Sequence, residues 1–255
     1  MNTYKTAEIA RCSGIHPNTV RLYEELALIP KPERKPNGYR VYTELHKEQI
    51  RLVRTALKVE VLQNGLRKRA IDIIKTSAAG DFDKAIRLTK SYLRQIKKEQ
   101  RNAEEAIVIA GQLLSGNENE QGINRVLLTR KETASYLQIS MDALRNWEMN
   151  GLLKVKRKQN GYRVYTEEDL RRLKIIRSLR CANYSLSAIL RMLCALSDNP
   201  RVDIRKVIDT PKEDEDIISV CDKLITSLQA VEKSAHDMLA RLGKMKNQFE
   251  ANPTL

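Results

Sequence analysis

A seven-residue segment occurs twice in this chain of 255 residues. Asn37-Gly38-Tyr39-Arg40-Val41-Tyr42-Thr43 returns unchanged as residues 160–166, which lie 123 positions further along. The residues before the two copies also match, at an offset of 124: Glu8, Ala10, Ile15, Arg21 and Glu24 correspond to Glu132, Ala134, Ile139, Arg145 and Glu148. The chain is therefore an internal duplication, and whatever fold it adopts must be built twice from halves of similar length.

Each repeated segment has the pattern of a short basic hairpin. The Asn-Gly pair predicts a two-residue turn, because Gly tolerates a positive φ, and the alternation after it predicts a strand. Basic residues precede both copies: Lys31, Arg34 and Lys35 in the first, and Lys154, Lys156, Arg157 and Lys158 in the second. With two helices before the hairpin and one after it, each half is interpreted as a winged helix-turn-helix.

The helix signals before the first hairpin agree with this interpretation. Thr6 is placed to cap a first helix that ends at Ser13-Gly14, and Pro17 suits the first turn of a second helix that reaches Leu26. In that second helix we expect Val20, Leu22 and Leu26 to face the core. In a helix-turn-helix the N-terminal residues of the second helix lie nearest the bases, so Asn18 and Thr19 are candidate base readers.

The second half repeats these signals. Thr129 and Glu132 form a predicted capping box, Ser140 is the predicted cap of the second helix, and Leu144, Trp147 and Leu152 are candidate core residues.

Apolar residues then recur at alternating spacings of three and four in two long segments. The first runs from Phe82 to Leu113 and the second from Ile217 to Phe249, and each has ten seam positions. Long helices with such a stripe require a partner helix. The polar stretch 115–122 is interpreted as a linker.

The predicted fold is mainly α, with two winged helix-turn-helix domains, each followed by a long coiled-coil helix, and the two long helices paired antiparallel. The expected boundaries are 1–80 and 125–212 for the winged domains, 81–115 and 213–250 for the coiled-coil helices, and 116–124 for the linker. If the two helices pair within one chain, the protein is an intramolecular pseudo-dimer. The linker must then join the end of the first long helix to the neighbouring second winged domain, and about ten extended residues, which reach roughly 30 Å, suffice for this. A homodimer with four winged domains is the alternative.

The positive charge of the chain is concentrated in the two winged segments. The net charge of the chain is +14. Residues 1–80 contribute +7 and residues 125–212 contribute +10, whereas the charges of residues 81–124 cancel and residues 213–255 contribute −3. This distribution is typical of a protein that binds a polyanion, although charge kept for solubility alone is an alternative.

Other classes of protein find little support in the sequence. The four cysteines have no Cys-x-x-Cys spacing, and Cys221 falls on the heptad seam, where a small buried apolar residue is expected. His16, His46 and His236 lack metal-ligand spacing and are expected at the surface. We find no motif for an enzyme, a cofactor or a metal site.

No segment approaches the roughly 18 apolar residues of a membrane span, so a soluble, cytoplasmic protein without membrane contact is expected.

Beyond these patterns, the chain resembles the MerR family of bacterial transcription regulators. The resemblance is carried by Thr19-Val20-Arg21-Leu22-Tyr23-Glu24-Glu25 and the repeated hairpin, and by Thr166–Leu179 with Tyr184-Ser185-Leu186 in the second half. It implies that DNA is contacted from the two recognition helices and from the wings. The residues that occupy these places are Asn18, Thr19, Arg21, Tyr23, Tyr39, Arg40, Asp142, Arg145, Tyr162 and Arg163.

The resemblance implies roles for these residues. Arg21 and Arg145 would hold phosphates or base edges in the groove. The wing residues would grip the phosphate backbone, although either wing tyrosine could instead pack in the core. Asn18 suits adenine, whereas Asp142 would accept a hydrogen bond from cytosine or cap its own helix. Trp147 stands where the family usually has Tyr and is a candidate for packing alone.

The resemblance further implies a regulator in the bacterial nucleoid that binds double-stranded promoter DNA and distorts it, with RNA polymerase as a candidate partner. Two other classes stay open from sequence: an excisionase-like or architectural DNA-binding factor, and a coiled-coil interaction scaffold that binds DNA weakly.

Overall fold

The computed structural model describes residues 3–59, 65–115, 127–157, 161–199, 202–210 and 223–249. The chain divides into two compact units. The first comprises Met1–Lys98 and Leu228–Leu255, and the second comprises Glu99–Ser227. The fold is mainly helical, as predicted. No helix among the described residues combines the length and the apolar composition of a membrane span.

The first unit contains a winged helix-turn-helix and parts of two long helices. Its elements are α1 (Thr6–Ser13), α2 (Pro17–Glu25), β1 (Glu33–Arg34), β2 (Arg40–Val41), α3 (Glu44–Ala56), α4 (Leu66–Ala78), the first part of α5 (Phe82–Ser115) and most of α11 (Leu224–Phe249). Buried residues from α1, α2, α3 and the wing form one core: Ile9, Ala10, Val20, Ile29, Tyr42 and Ile50.

The second unit repeats this order. Its elements are the end of α5, α6 (Arg130–Leu137), α7 (Met141–Met149), β3 (Lys156–Arg157), β4 (Arg163–Val164), α8 (Glu167–Cys181), α9 (Leu186–Asp198), α10 (Ile204–Asp209) and the start of α11. The short helix α10 was not predicted from the sequence. It is held by the buried side chain of Arg191, whose guanidinium donates to the carbonyl oxygens of Val207 and Ile208.

The two wings share one register. Glu33 pairs with Val41 and Arg34 with Arg40 in the first, and Lys156 pairs with Val164 and Arg157 with Arg163 in the second. In the first wing the amide of Lys35 donates to the carbonyl of Tyr39, which leaves a three-residue loop, 36–38, with Gly38 at a φ of +80°. The predicted two-residue Asn-Gly turn is therefore wrong. A three-residue loop uses Gly for the left-handed position that follows the turn. In the second wing, Lys158 and Asn160 lie outside the described residues.

Capping was predicted well in the second half and less well in the first. The side chains of Thr129 and Ser140 accept hydrogen bonds from the amides of Glu132 and Ala143, which confirms both caps. Thr6, by contrast, is already inside α1, and Lys5 is its N-cap residue. Glu8 explains this shift, because its carboxylate accepts from the amide of Lys5 at 2.7 Å and so satisfies a free helix N–H.

The apolar stripes of the two long helices are buried. The buried seam residues are Phe82, Ala85, Thr89, Tyr92, Ile96, Ala103, Ala106 and Ala110 of α5, and Leu224, Leu228, Val231, Ala235, Met238, Leu242 and Met245 of α11. Ile217, Cys221 and the linker 116–124 lie outside the described residues, and for Leu113 only the helical backbone is described.

Ion pairs join the two long helices inside the first unit. Asp83 pairs with Lys246, and Lys97 pairs with Glu232 at 3.7 Å. Residue numbers therefore rise along α5 while they fall along α11, so the two segments run in opposite directions here. A continuous coiled coil stays a prediction.

In each winged domain a left-handed residue follows the first helix and another follows the recognition helix, and the two copies supply these two residues in a complementary way. After the first helix the residue is Gly14 (φ +61°) in the first copy and Gln138 (φ +50°) in the second. After the recognition helix it is Ala27 (φ +54°) in the first copy and Gly151 (φ +76°) in the second. Each copy thus keeps glycine at one turn and accepts a strained residue at the other.

We predict that Ala27→Gly stabilises the protein by about 0.5–1 kcal/mol. A left-handed L-residue costs about 1–2 kcal/mol, and the greater freedom of unfolded glycine offsets part of the gain. The matched control is Gly151→Ala, which should lower stability by a similar amount. A Cβ at position 151 would meet no atom within 4 Å, so its effect reports backbone strain alone. The midpoint of urea unfolding measures both, and a lower midpoint for Ala27→Gly would contradict the assignment.

His46 is buried, contrary to the expectation of a surface position. Only 6% of it is exposed, its ring meets the ring of Tyr42 edge-on at 5.4 Å, and Nδ1 accepts from the amide of Thr43 at 3.1 Å. Burial disfavours the charged imidazolium and lowers the pKa of His46 to about 4.

The buried imidazole should make stability depend on pH. Between pH 6.5 and about 4 the unfolded chain takes up a proton at His46 that the folded chain does not bind, so the free energy of unfolding falls as the pH falls, by at most about 3 kcal/mol. His46→Gln keeps a neutral acceptor for the α3 cap and should remove this part of the dependence. Urea unfolding at several pH values compares the two proteins, and parallel pH profiles would show that His46 does not contribute.

Candidate nucleic-acid interface

The first recognition helix, α2, presents a polar N-terminal half at the surface. Its N-cap is His16, whose Nδ1 accepts from the amide of Asn18 at 3.2 Å. Asn18 and Arg21 are exposed and lie one turn apart, with Arg21 Nη1 at 3.4 Å from Asn18 Oδ1, whereas Thr19 is half-buried. Asn18 and Arg21 are thus available to a ligand in front of this helix.

The C-terminal half of α2 differs from the prediction. Leu22 and Leu26 are 48% and 49% exposed, so their assignment to the core is wrong. Tyr23 instead turns towards the domain and packs against its core, which leaves it half-buried. The helix has only nine residues, and Val20 and Tyr23 already occupy the side that faces the core, so Leu22 and Leu26 lie on the outer side.

The second recognition helix, α7, has the same frame with different chemistry. Asp142 and Arg145 are exposed at the positions of Asn18 and Arg21, and Ser140 rather than Asp142 caps the helix. Trp147 is buried, in agreement with its candidate packing role.

Polar residues of α7 replace the exposed leucines of α2. Asn146 and Asn150 stand where α2 has Leu22 and Leu26, and Asn150 Nδ2 donates to Asn146 Oδ1 at 2.8 Å. The two helices therefore present one apolar and one amide surface at equivalent positions.

The tips of both wings are exposed aromatic residues. Tyr39 and Tyr162 are 70% and 71% exposed, which removes the alternative that either packs in a core. The wing arginines beside them are more enclosed, since the side chains of Arg40 and Arg163 are 25% and 34% exposed.

A carboxylate of the recognition helix holds the wing arginine in the first unit. Arg40 Nε donates to Glu24 Oε2 at 2.6 Å, and Arg34 Nη2 lies 3.8 Å from Glu24 Oε1. Arg34 and Arg40 are directly opposite each other on the two strands. Like charges at such positions destabilise a hairpin, so Glu24 compensates a repulsion within the wing as it ties the wing to α2.

Glu148 does the same in the second unit, with more partners. Arg163 Nε and Arg130 Nη2 each donate to Glu148 Oε2 at 2.8 Å, and the hydroxyl of Tyr165 donates to Oε1. Burial first, and the bond to Glu148 next, raise the pKa of Tyr165 to about 12, so the hydroxyl keeps its proton at neutral pH. The side chain of Glu148 is only 9% exposed, and its carboxylate is bound by Arg130 of α6, Arg163 of the wing and Tyr165 after β4.

Glu24 and Glu148 were not among the predicted site residues. Each lies 15 or 16 positions from its arginine, so no local spacing connects the two. The available signal was the duplication itself, which aligns the two glutamates as it aligns the two arginines.

Two segments of the chain match family models. Residues 5–42 match the MerR family regulatory protein, and residues 128–196 match the MerR HTH family regulatory protein. Each half of the chain therefore carries a segment of MerR type. The two matches cover α1 to Tyr42 in the first unit and α6 to α9 in the second, which are the regions that carry the paired recognition helices and wings.

Curated relatives that the chain resembles are named as transcriptional regulators. A probable heavy metal-dependent transcriptional regulator of Haemophilus influenzae is 42% identical over 77 residues, which is 30% of this chain and 59% of that protein. The HTH-type transcriptional regulator CueR of Escherichia coli is 38% identical over 53 residues, 21% of this chain and 39% of CueR. The mercuric resistance operon regulatory protein of Bacillus cereus is 35% identical over 51 residues, 20% of this chain and 39% of that protein.

The chain thus spans between about two fifths and three fifths of the length of these relatives. No solved structure matches it significantly. In the part of the chain that the structure describes, no group of three His, Cys, Asp or Glu side chains is arranged to hold a metal ion.

Proposed function

We propose that this chain is a sequence-specific DNA-binding transcription regulator that binds promoter DNA and distorts it, and so changes the access of RNA polymerase. The observation that carries the proposal is the repeated pairing of an exposed recognition helix with an exposed basic wing, once in each unit. The concentration of positive charge in residues 1–80 and 125–212 supports it, because phosphates attract such surfaces and release counterions on binding.

The candidate DNA contacts divide into two roles. Asn18 and Asp142, at the N-terminal ends of α2 and α7, are assigned to base edges, as the docking of a helix-turn-helix in the major groove requires. The others are assigned to phosphates or to the edge of the groove: Arg21, Tyr39, Arg40, Arg145, Tyr162 and Arg163. Thr19 and Tyr23 are more enclosed and are assigned supporting contacts.

The proposed assembly is a pseudo-dimer within one chain. Its support is that each winged domain contacts a long helix of the other half: Arg241 of α11 pairs with Glu48 of α3 in the first unit, and Glu104 of α5 pairs with Arg205 at 2.9 Å in the second. In the second unit the hydroxyl of Tyr184 also donates to the carbonyl of Ala103 at 3.4 Å. The domain boundaries expected from the sequence form part of this proposal.

We predict an operator with two unequal half-sites. Selection of bound duplexes from a random-sequence library should enrich adenine opposite Asn18 and cytosine opposite Asp142. The exchange variant Asn18→Asp/Asp142→Asn should move each preference to the other half-site. A perfectly palindromic selected site would contradict the assignment of these base readers, and failure to enrich any sequence would contradict the proposed function itself.

We also predict that the protein is a monomer in solution. Light scattering at micromolar concentration should give a mass near 29.3 kDa, because both long helices find their partner within the chain. A mass near twice that value, persisting on dilution, would favour the homodimer instead.

A further inference from the structure

The contact between wing and recognition helix uses the same arginine atom in both units. Arg40 and Arg163 each donate through Nε, at 2.6 and 2.8 Å, to a carboxylate with 13% or 9% exposure. A guanidinium is a rigid planar fork with five N–H donors, so a bond at Nε fixes the orientation of both Nη groups. The described hydrogen bonds and ion pairs of the two arginines are made at Nε, and each side chain keeps a partly exposed surface.

From this geometry we propose that Glu24 and Glu148 are positioning residues that hold the wing arginines with their Nη groups ready for phosphates of duplex DNA. The proposal rests on the proposed function. A free arginine loses rotational freedom when it binds, and an arginine already held by a carboxylate loses less. Neither glutamate contacts the DNA in this scheme. Each acts through its arginine.

Whether Glu148→Gln raises or lowers the affinity for DNA distinguishes a positioning role from a purely electrostatic effect. Glu148→Gln removes a negative charge from a DNA-binding surface, and long-range attraction alone then predicts tighter binding. Positioning predicts weaker binding, because Arg163 loses the charged acceptor that orients it.

The two units provide independent tests. Glu148 also satisfies Arg130 and Tyr165, so its substitution disturbs the second winged domain more widely. Glu24 holds mainly the two arginines of its own wing, and Glu24→Gln is therefore the cleaner variant. Tyr165→Phe removes one donor to Glu148 without touching Arg163, and it serves as the matched control for general loosening of this site.

The experiment measures binding of the full chain to a duplex selected from a random library, by fluorescence anisotropy from about 50 to about 300 mM NaCl. The proteins are the wild type, Glu148→Gln, Arg163→Ala and their combination, with the corresponding set at Glu24 and Arg40. Each glutamine variant should weaken binding about 10-fold, and each alanine variant should also reduce the slope of log K against log salt by about 0.9, the share of one phosphate.

The double variants decide the result. If the glutamate acts through its arginine, Glu148→Gln adds nothing once Arg163 is alanine, and the same holds for Glu24→Gln once Arg40 is alanine. Tyr165→Phe should bind like the wild type. Tighter binding by the glutamine variants, or an equal loss in both backgrounds, would overturn the positioning role. A wild type that binds no selected duplex would instead overturn the proposed function, so the two failures are distinguishable.

Discussion

The arrangement of each winged domain depends on one carboxylate, that of Glu24 or Glu148, between the recognition helix and the wing. A two-stranded hairpin is marginally stable by itself, and these hairpins place two arginines directly opposite each other. The carboxylate places a negative charge against one or both of these arginines and joins the wing to the recognition helix. It lies in a largely enclosed position, where removal of one partner leaves a costly uncompensated charge. Wing and helix therefore present their outer residues as one surface.

The two copies show which features of this domain are shared and which differ. The strand register, the wing arginine, the glutamate and the two left-handed turns occur in both copies. The residues that face outward from the recognition helices differ, with leucine in one copy and asparagine in the other at two positions. The glycine needed at the two turns is also distributed differently, as Gly14 and Gly151 show. The backbone geometry is thus kept while the residues that realise it vary.

Much of the fold could be predicted from the sequence because its signals are local. The periodicity of α5 and α11 extends over many turns, and the caps at Thr129 and Ser140 act within three residues. Short helices carry less information, and Leu22 and Leu26 were misassigned because nine residues do not determine which side of α2 is covered. The burial of His46 depends on Tyr42, and the role of Glu148 depends on Arg163. Both are tertiary contacts that no local pattern records. Asn18 could be predicted because the N-terminal residues of a recognition helix lie nearest the bases, and Arg21 because its segment resembles a known family.

The proposed assembly gives the duplication a physical consequence. In a symmetric dimer each substitution appears in both recognition helices, so both half-sites change together. In a single chain with two domains, Asn18 and Asp142 can specify different bases, and the cost of changing one half-site does not fall on the other. The long helices add a constraint of their own. Their seams must stay complementary across the two halves, because a buried stripe on α5 or α11 that loses its partner would expose a large apolar surface. Divergence is therefore expected on the DNA-facing side of each domain and restricted along the seam.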